Sequence, residues 1–174
     1  MSKSVVISKR AALIILVLCS CVGCDQVTKT VASTHLPSSQ PILLLSGLFR
    51  FQYTENKGAF LGLGARLPEP VRFWLLIVLV GGVLIGMLRF VWTSQEINSM
   101  GVLGGALVVG GGIGNLIDRI FNAGAVIDFM DMGVGNLRTG IVNVADVAIT
   151  VGVGILLVST LFFDRSEEET TERV

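Results

Sequence analysis

Four stretches of the chain are almost continuously apolar: Ala11 to about Val31, Val71 to Trp92, Met100 to Phe121 and Val142 to Phe163. Each approaches the roughly 20 residues that a helix needs to cross a hydrocarbon core of about 30 Å. Between the first two, over about 32–70, the pattern changes. Phe49, Phe51 and Tyr53 alternate with Arg50, Gln52 and Thr54, which predicts a strand with one apolar face, resting on lipid or closing over a substrate. All four prolines, Pro37, Pro41, Pro68 and Pro70, fall in this segment, where backbone donors need not be sealed from lipid. Trp74 and Trp92 bracket the second span about 27 Å apart at about 1.5 Å per residue, matching the two interfacial belts. Glycines recur at small-xxx-small spacing, Gly82 with Gly86, Gly101 with Gly105 and Gly110 with Gly114, and are expected to bring helix backbones together. The fold class is thus an α-helical integral membrane protein. Residues 1–174 form a single domain of four transmembrane helices, with a small strand-like extracytoplasmic cradle between helices 1 and 2.

Composition strengthens the membrane assignment. The 174 residues are 52% hydrophobic and only 15% charged, with mean hydropathy +0.76, whereas a soluble domain carries about 25% charged residues. Thirteen basic and 13 acidic residues cancel, and no basic block points to nucleic acid. The acidic, polar end from Asp164 to Arg173 reads as solvated. Cys19, Cys21 and Cys24 share one apolar run without a matching histidine cluster, so neither a metal nor a cofactor is expected. Lys3, Lys9 and Arg10 precede the first span and favour a cytoplasmic N-terminus, hence both termini inside. A simple count over the first connection, with Arg50, Lys57 and Arg66 and with Lys29 and Arg72 at its edges, opposes this.

Polar residues inside spans are costly, so their placement is informative. Asp25 and Lys29 lie near the end of span one, Asn115, Asp118 and Arg119 near the end of span three, and Asn143 and Asp146 at the start of span four. With alternating helices these all come to one membrane face. The spacings within each group are i,i+3 or i,i+4, so each group shares a helix face. Bland readings stay open for several: a snorkelling interfacial pair for Asp25 with Lys29, a helix-end charge pair for Asp118 with Arg119, a simple cap for Asn143.

Asp128 and Asp146 are different. Val126-Ile127-Asp128-Phe129 and Val144-Ala145-Asp146-Val147 each place a carboxylate in an apolar run with no basic neighbour. The link between them contains Gly133, Gly135 and Gly140 and can return the chain so that the two face each other. Paired carboxylates share a proton, so one can deprotonate water while the other protonates a leaving group. The implied chemistry is direct water attack on an amide. A Ser-His-Asp site is not supported, because His35 is the only histidine and sits in a polar, exposed setting. Gly110 to Gly114 lies inside an apolar helix and is no phosphate loop. The alternative from another class is a small proton-coupled membrane transporter using the Asp pair as a relay. Such a protein is expected to show paired repeats or broken helices, which this sequence lacks.

These residues resemble bacterial lipoprotein signal peptidase, also called signal peptidase II, in five ordered blocks from Asp25 to Asp146. They are Asp25-Gln26-Val27-Thr28-Lys29, Asn56-Lys57-Gly58-Ala59, Gly111 to Arg119, Val126-Ile127-Asp128-Phe129 and Asn143-Val144-Ala145-Asp146. The resemblance implies an aspartic endopeptidase of the bacterial cytoplasmic (inner) membrane, acting near its outer face. It would cut before the lipid-bearing cysteine of diacylglyceryl-modified prolipoproteins. Asp128 and Asp146 would be the catalytic dyad. Asp25, Lys29, Asn56, Gly58, Asn115, Asp118, Arg119 and Asn143 would bind substrate or support the dyad. The implied partners are diacylglyceryl-prolipoprotein substrates and membrane lipids, with no nucleic acid, and the chain is expected to act as a monomer. Sensitivity to globomycin-type cyclic peptides follows from the same resemblance.

Two positions depart from the family's pattern: Phe60 carries the aromatic one position early after Gly58, and Val142 replaces an aromatic before Asn143. Cys21-Val22-Gly23-Cys24 has the look of a lipobox, where a signal peptide is cut before a lipid-bearing cysteine. A lipoprotein would need only the first span, however, so this similarity is read as coincidence.

Overall fold

The computed structural model describes residues 3–59 and 62–171. Helix α1 runs over Lys3–His35, α2 over Glu69–Thr93, α3 over Ser99–Phe121 and α4 over Val144–Thr171. All four are long and apolar enough to cross a membrane. The strands are β1 (Ile42–Leu44), β2 (Phe49–Asn56), β3 (Val126–Val134) and β4 (Leu137–Arg138). They form one antiparallel sheet in the order β1-β2-β3-β4.

Local chemistry explains the helix limits and shifts some of them from the hydropathy pattern. The first helix continues past Val31 to His35, so His35 is an exposed helix end and not part of the irregular connection. Pro68 caps α2 and Pro70 lies in its first turn, where a missing N–H is harmless. A π-helical stretch, Trp74–Leu79, follows within the same helix. The last helix begins at Val144, two residues later than hydropathy suggests. Val142 is instead held by backbone hydrogen bonds to Met130 of β3, and Asn143 caps the helix.

The sheet is larger than the alternation around Phe51 predicts. Half of it comes from the link between α3 and α4, because Val126–Val134 pairs along β2 with Thr54 opposite Asp128. The expected single apolar face of β2 does not hold. The register shifts between Phe51 and Thr54, and such a bulge changes the face that following side chains occupy. Phe49 to Thr54 are accordingly all half-buried. Gly135, with φ +57°, opens the two-residue β3–β4 turn, a position that suits glycine.

Helix α3 is the buried centre of the bundle, with Val102, Ala106 and Val109 among its core residues. Its glycines create the contacts. A Cβ on Gly104 would meet the backbone oxygen of Gly152 at 2.8 Å, and one on Gly152 would meet that of Gly104 at 2.6 Å, so α3 and α4 touch backbone to backbone. Gly105 and Gly110 similarly receive Val91 and Cys21. Gly82 and Gly86 do not conform: nothing lies within 4 Å of a Cβ on either, since that part of α2 turns outward, as exposed Val83 and Ile85 show. The membrane face opposite the sheet is closed by Ile14, Val91 and Val102. Its polar contacts are helix caps. Arg10 donates to the Val91 carbonyl at 2.9 and 2.6 Å, and Asn98 accepts from Gly101 N and from the Ser159 hydroxyl.

A methyl-sized group is therefore tolerated on α2 but not at the α3–α4 contact. Gly152→Val is expected to destabilise the protein by about 1–3 kcal/mol, the usual cost of overpacking, as a lowered unfolding midpoint in detergent. Gly82→Ala is expected to leave that midpoint unchanged or raise it, because alanine favours the helix by about 1 kcal/mol.

Candidate active site

Five elements converge at the sheet-side end of the bundle: the last turns of α1 and α3, the first turn of α4, and the inner ends of β2 and β3. All ten residues singled out from the sequence meet there in one connected hydrogen-bond network.

Lys29 is the hub. Its side chain is 2% exposed, and its Nζ lies 2.8 Å from Asp25 Oδ2, 3.0 Å from Asp118 Oδ2 and 2.9 Å from Asn115 Oδ1. The ammonium's three protons thus have three acceptors. Each carboxylate has a second task. Asp25 Oδ1 accepts from Ala145 N at 2.9 Å, and Asp118 Oδ2 accepts from Ile127 N at 2.9 Å. One cation, through two anions, therefore holds the peptide N–H immediately before Asp146 and the one immediately before Asp128. Gly114 makes room for this arrangement, because a Cβ there would meet Asp25 Oδ2 at 2.5 Å.

Three asparagines then aim at the two candidate carboxyls, and each is oriented by a donor that cannot reverse. Asn115 turns its oxygen to the Lys29 ammonium, so its Nδ2 donates to Asp146 Oδ1 at 2.9 Å. Asn143 accepts from Asp146 N at 2.9 Å, so its Nδ2 donates to Asp128 Oδ1 at 2.7 Å. Asn56 accepts from Gly58 N at 2.9 Å, so its Nδ2 donates to Asp128 Oδ2 at 3.0 Å. Asn143 also donates its backbone N–H to Asp146 Oδ2 at 3.2 Å. Asn143 with Asp146 is thus a reciprocal cap in which both members also serve the site. Cap and site residue, alternatives in the sequence, coincide here.

Arg119 extends the network outward. It donates to the Gly58 carbonyl at 2.8 Å and to Asn115 O at 3.2 Å, while its buried Nε has no partner among the described residues. The guanidinium lines a cleft of about 260 Å³ between α2 and α3, together with Arg72, Phe73 and Ile77. Gly58 is required for its small size: a Cβ there would meet Gly62 and Leu63 backbone atoms. Phe60 and Leu61, where the sequence departs from the family's pattern, lie outside the described residues.

Asp128 is buried, whereas Asp146 is partly open. Burial pushes the Asp128 carboxyl from its ordinary 3.8 up to about 6. Hydrogen bonds from Asn56 and Asn143 and the Lys29 charge oppose this, while the neighbouring Asp146 carboxylate adds to it. Among the described residues, no three His, Cys, Asp or Glu side chains are grouped to hold a metal ion.

Two sets of residues escaped the sequence reading. Gln26 donates from Nε2 to Asp25 Oδ2, Gly114 O and Asp118 Oδ1 at 3.0–3.2 Å, bracing the same two carboxylates as Lys29. It lies inside the first block, but adjacent helix positions do not face each other, so spacing gave it no weight. Asp131, Arg138 and Thr139 form a second polar cluster, with Asp131 buried, Arg138 half-buried and Thr139 exposed. Arg138 pairs with Asp131 at 2.5 Å and donates to Gly47 O and Gly133 O, tying together the two hairpin turns. Opposite charges seven positions apart around Gly135 were the available signal.

Comparison with known proteins identifies the family and agrees with the fold. The family described as signal peptidase II matches residues 15–162. The lipoprotein signal peptidase of Chlorobium phaeobacteroides is 35% identical over 158 residues, covering 85% of this chain and 90% of that protein. That of Halalkalibacterium halodurans is 32% identical over 145 residues, with 83% and 89% covered. A solved bacterial membrane enzyme superposes with TM-score 0.74 at 26% identity, covering 85% of this chain and 87% of its own. A second gives TM-score 0.73 at 25% identity, with 86% and 92% covered. A five-block motif set, a four-helix membrane fold and similarity to named peptidases over more than four-fifths of the chain all lead to one conclusion: the chain belongs to the signal peptidase II family of aspartic membrane peptidases.

Proposed function

We propose that Asp128 and Asp146 are the catalytic dyad with which this family member removes signal peptides from diacylglyceryl-modified prolipoproteins, cutting before the lipid-bearing cysteine. The observation that carries the assignment is Asn143, which hydrogen-bonds both carboxyls at once, from its side chain to Asp128 and from its backbone to Asp146. Family membership removes the support for the transporter reading.

The two carboxyls divide the work by environment. Asp128, buried and pushed up to about 6, is the group that carries the shared proton. Asp146, at the open lip, receives the proton of the attacking water. As the water oxygen adds to the scissile carbonyl carbon, Asp128 protonates the carbonyl oxygen. As the tetrahedral species collapses and the C–N bond breaks, Asp146 passes the water-derived proton to the departing amine and Asp128 takes back the proton it gave to the carbonyl oxygen. Arg119, whose Nε has no partner among the described residues, positions the peptide carbonyls, and Asn56 braces Asp128. Asp25, Lys29, Gln26, Asp118, Asn115 and Asn143 keep the dyad in place, and Gly58 admits the backbone close to it.

The same reading places the N- and C-termini in the cytoplasm, the site near the outer face, and residues 1–174 in one monomeric domain. This orientation is drawn from Lys3, Lys9 and Arg10 ahead of the first span, because the first helix usually dominates topology.

Asp128→Asn and Asp146→Asn are each expected to lower cleavage of a lipid-modified prolipoprotein by at least about 10² to 10⁴, the scale of general acid–base help, with an unchanged elution profile in detergent. For the parent, kcat/KM is expected to fall about tenfold per unit as pH rises through about 6, because Asp128 must hold its proton. Asn56→Ala removes a hydrogen bond that favours the ionised form, so this limb should move to higher pH. A pH–rate profile in which it stays put would remove Asp128 as the acid. Lys29→Met leaves two buried carboxylates without a counter-charge and is expected to cost about 3–5 kcal/mol of stability. Adding Asp118→Asn should return part of that loss in a thermal scan.

A further inference from the structure

Between β2 and α2 lies a short segment that no apolar core holds in place. Residues 62–67 contain no buried side chain, and Leu63 and Leu67 are 68% and 41% exposed. Within itself the segment is stiff. Gly62 N donates to Ala59 O at 2.7 Å, Ala59 N to Leu63 O at 2.7 Å and Ala65 N to Gly62 O at 3.1 Å, in turns that Gly62 and Gly64 permit with φ of +83° and +76°. One side of this knot rests directly on Gly58, where a Cβ would meet Gly62 and Leu63 backbone atoms at 2.4–2.8 Å. Toward the helices, residues 62–67 make one hydrogen bond among the described residues: Arg72 Nη1 of α2 donates to Ala65 O at 2.8 Å. Arg72 makes no ion pair among the described residues, although Glu69 stands three positions before it on the same helix.

Gly58 is where this tie reaches the chemistry. Its N–H donates to Asn56 Oδ1 and so fixes which end of that amide faces Asp128 Oδ2, while its carbonyl receives Arg119. We propose that Arg72 is a positioning residue for the dyad: by holding the Ala65 carbonyl it keeps 62–65 against Gly58, and Gly58 in turn keeps the Asn56 amide on Asp128. The inference rests on the dyad reading given above. A cation can also act on a carboxyl through its field alone, without any contact. The geometry favours the relay, because Arg72 directs its bond to a neutral carbonyl and every link from there to Asp128 is a hydrogen bond or a backbone contact. The charged groups around Asp128 are Lys29 of α1, Asp118 and Arg119 of α3 and Asp146 of α4, whereas Glu55 of β2 bonds Tyr53. All of them stay in place in the variants below.

The test is a pH–rate profile of prolipoprotein cleavage in detergent for the full-length parent, Arg72→Met, Asn56→Ala and the double variant. Methionine keeps an apolar stem and removes the donor. In Arg72→Met the high-pH limb of kcat/KM is expected to move upward by about half a pH unit to one, a fraction of what a hydrogen bond to an ionised carboxylate is worth. In the double variant the limb is expected to coincide with that of Asn56→Ala, since the relay runs through Asn56. The position of the limb does not depend on how much of the enzyme is folded, so a lowered unfolding midpoint leaves the reading intact. A limb that keeps the parent position in Arg72→Met, while Asn56→Ala moves it, overturns the proposal. So does a double variant in which the two shifts add, the mark of a field acting without the relay. If Asn56→Ala itself leaves the limb in place, the dyad reading falls and this proposal with it.

Discussion

A lysine ammonium buried among acceptors is the constraint on which the rest of this structure depends. Lys29 sits at the meeting point of α1, α3 and α4, where water is excluded, and a lone charge there would be prohibitively costly. Asp25 and Asp118 neutralise it, and neither ends its role there. Each passes its remaining acceptor capacity to a backbone N–H, of Ala145 and of Ile127. The electrostatic requirement of one side chain is thereby converted into fixed positions for two peptide units, and each of these is followed directly by a member of the proposed dyad. Gln26 repeats the bridge between the same two carboxylates, so the spacing does not rest on the ammonium alone.

The asparagines propagate that order. An amide side chain is ambiguous about which end donates, and here each ambiguity is removed by a partner of one kind: the Lys29 ammonium, Asp146 N–H and Gly58 N–H can only donate. The NH₂ ends of Asn115, Asn143 and Asn56 must therefore face the carboxyls. These donors favour ionised carboxyls, burial favours the neutral form, and at Asp128 burial prevails. That balance is what a proton-sharing pair needs, since carboxylates with stronger cationic neighbours would both remain charged. Keeping Lys29 one asparagine away from the dyad retains its orienting effect while limiting its charge effect.

Much of this is legible in the amino-acid sequence. Hydropathy located the four helices, and the rule that polar groups in spans are costly gathered Asp25, Lys29, Asn115, Asp118, Arg119, Asn143 and Asp146 at one face. Where the reading failed, two periodicities overlapped. Val126–Val134 carries Asp128 and Asp131 in an otherwise apolar run, so it shows neither a clean strand alternation nor a span, and its pairing with β2 depends on residues 70 or more positions away. Gly82 and Gly86 have the spacing of packing glycines, but spacing does not say which way a helix face points. Gln26 escaped because its contacts are to another helix and to its own neighbour's carboxylate.

The sequence alone determined the class of protein, the number of helices and the identity of nearly every residue in the site, because membrane insertion and the cost of burying charge act on local composition. Only the tertiary structure decided how those residues are joined. Which carboxylate holds which peptide N–H, which way each amide points and which aspartate is the more buried are set by helices and strands that meet only after the chain has folded, through hydrogen bonds that no local pattern encodes.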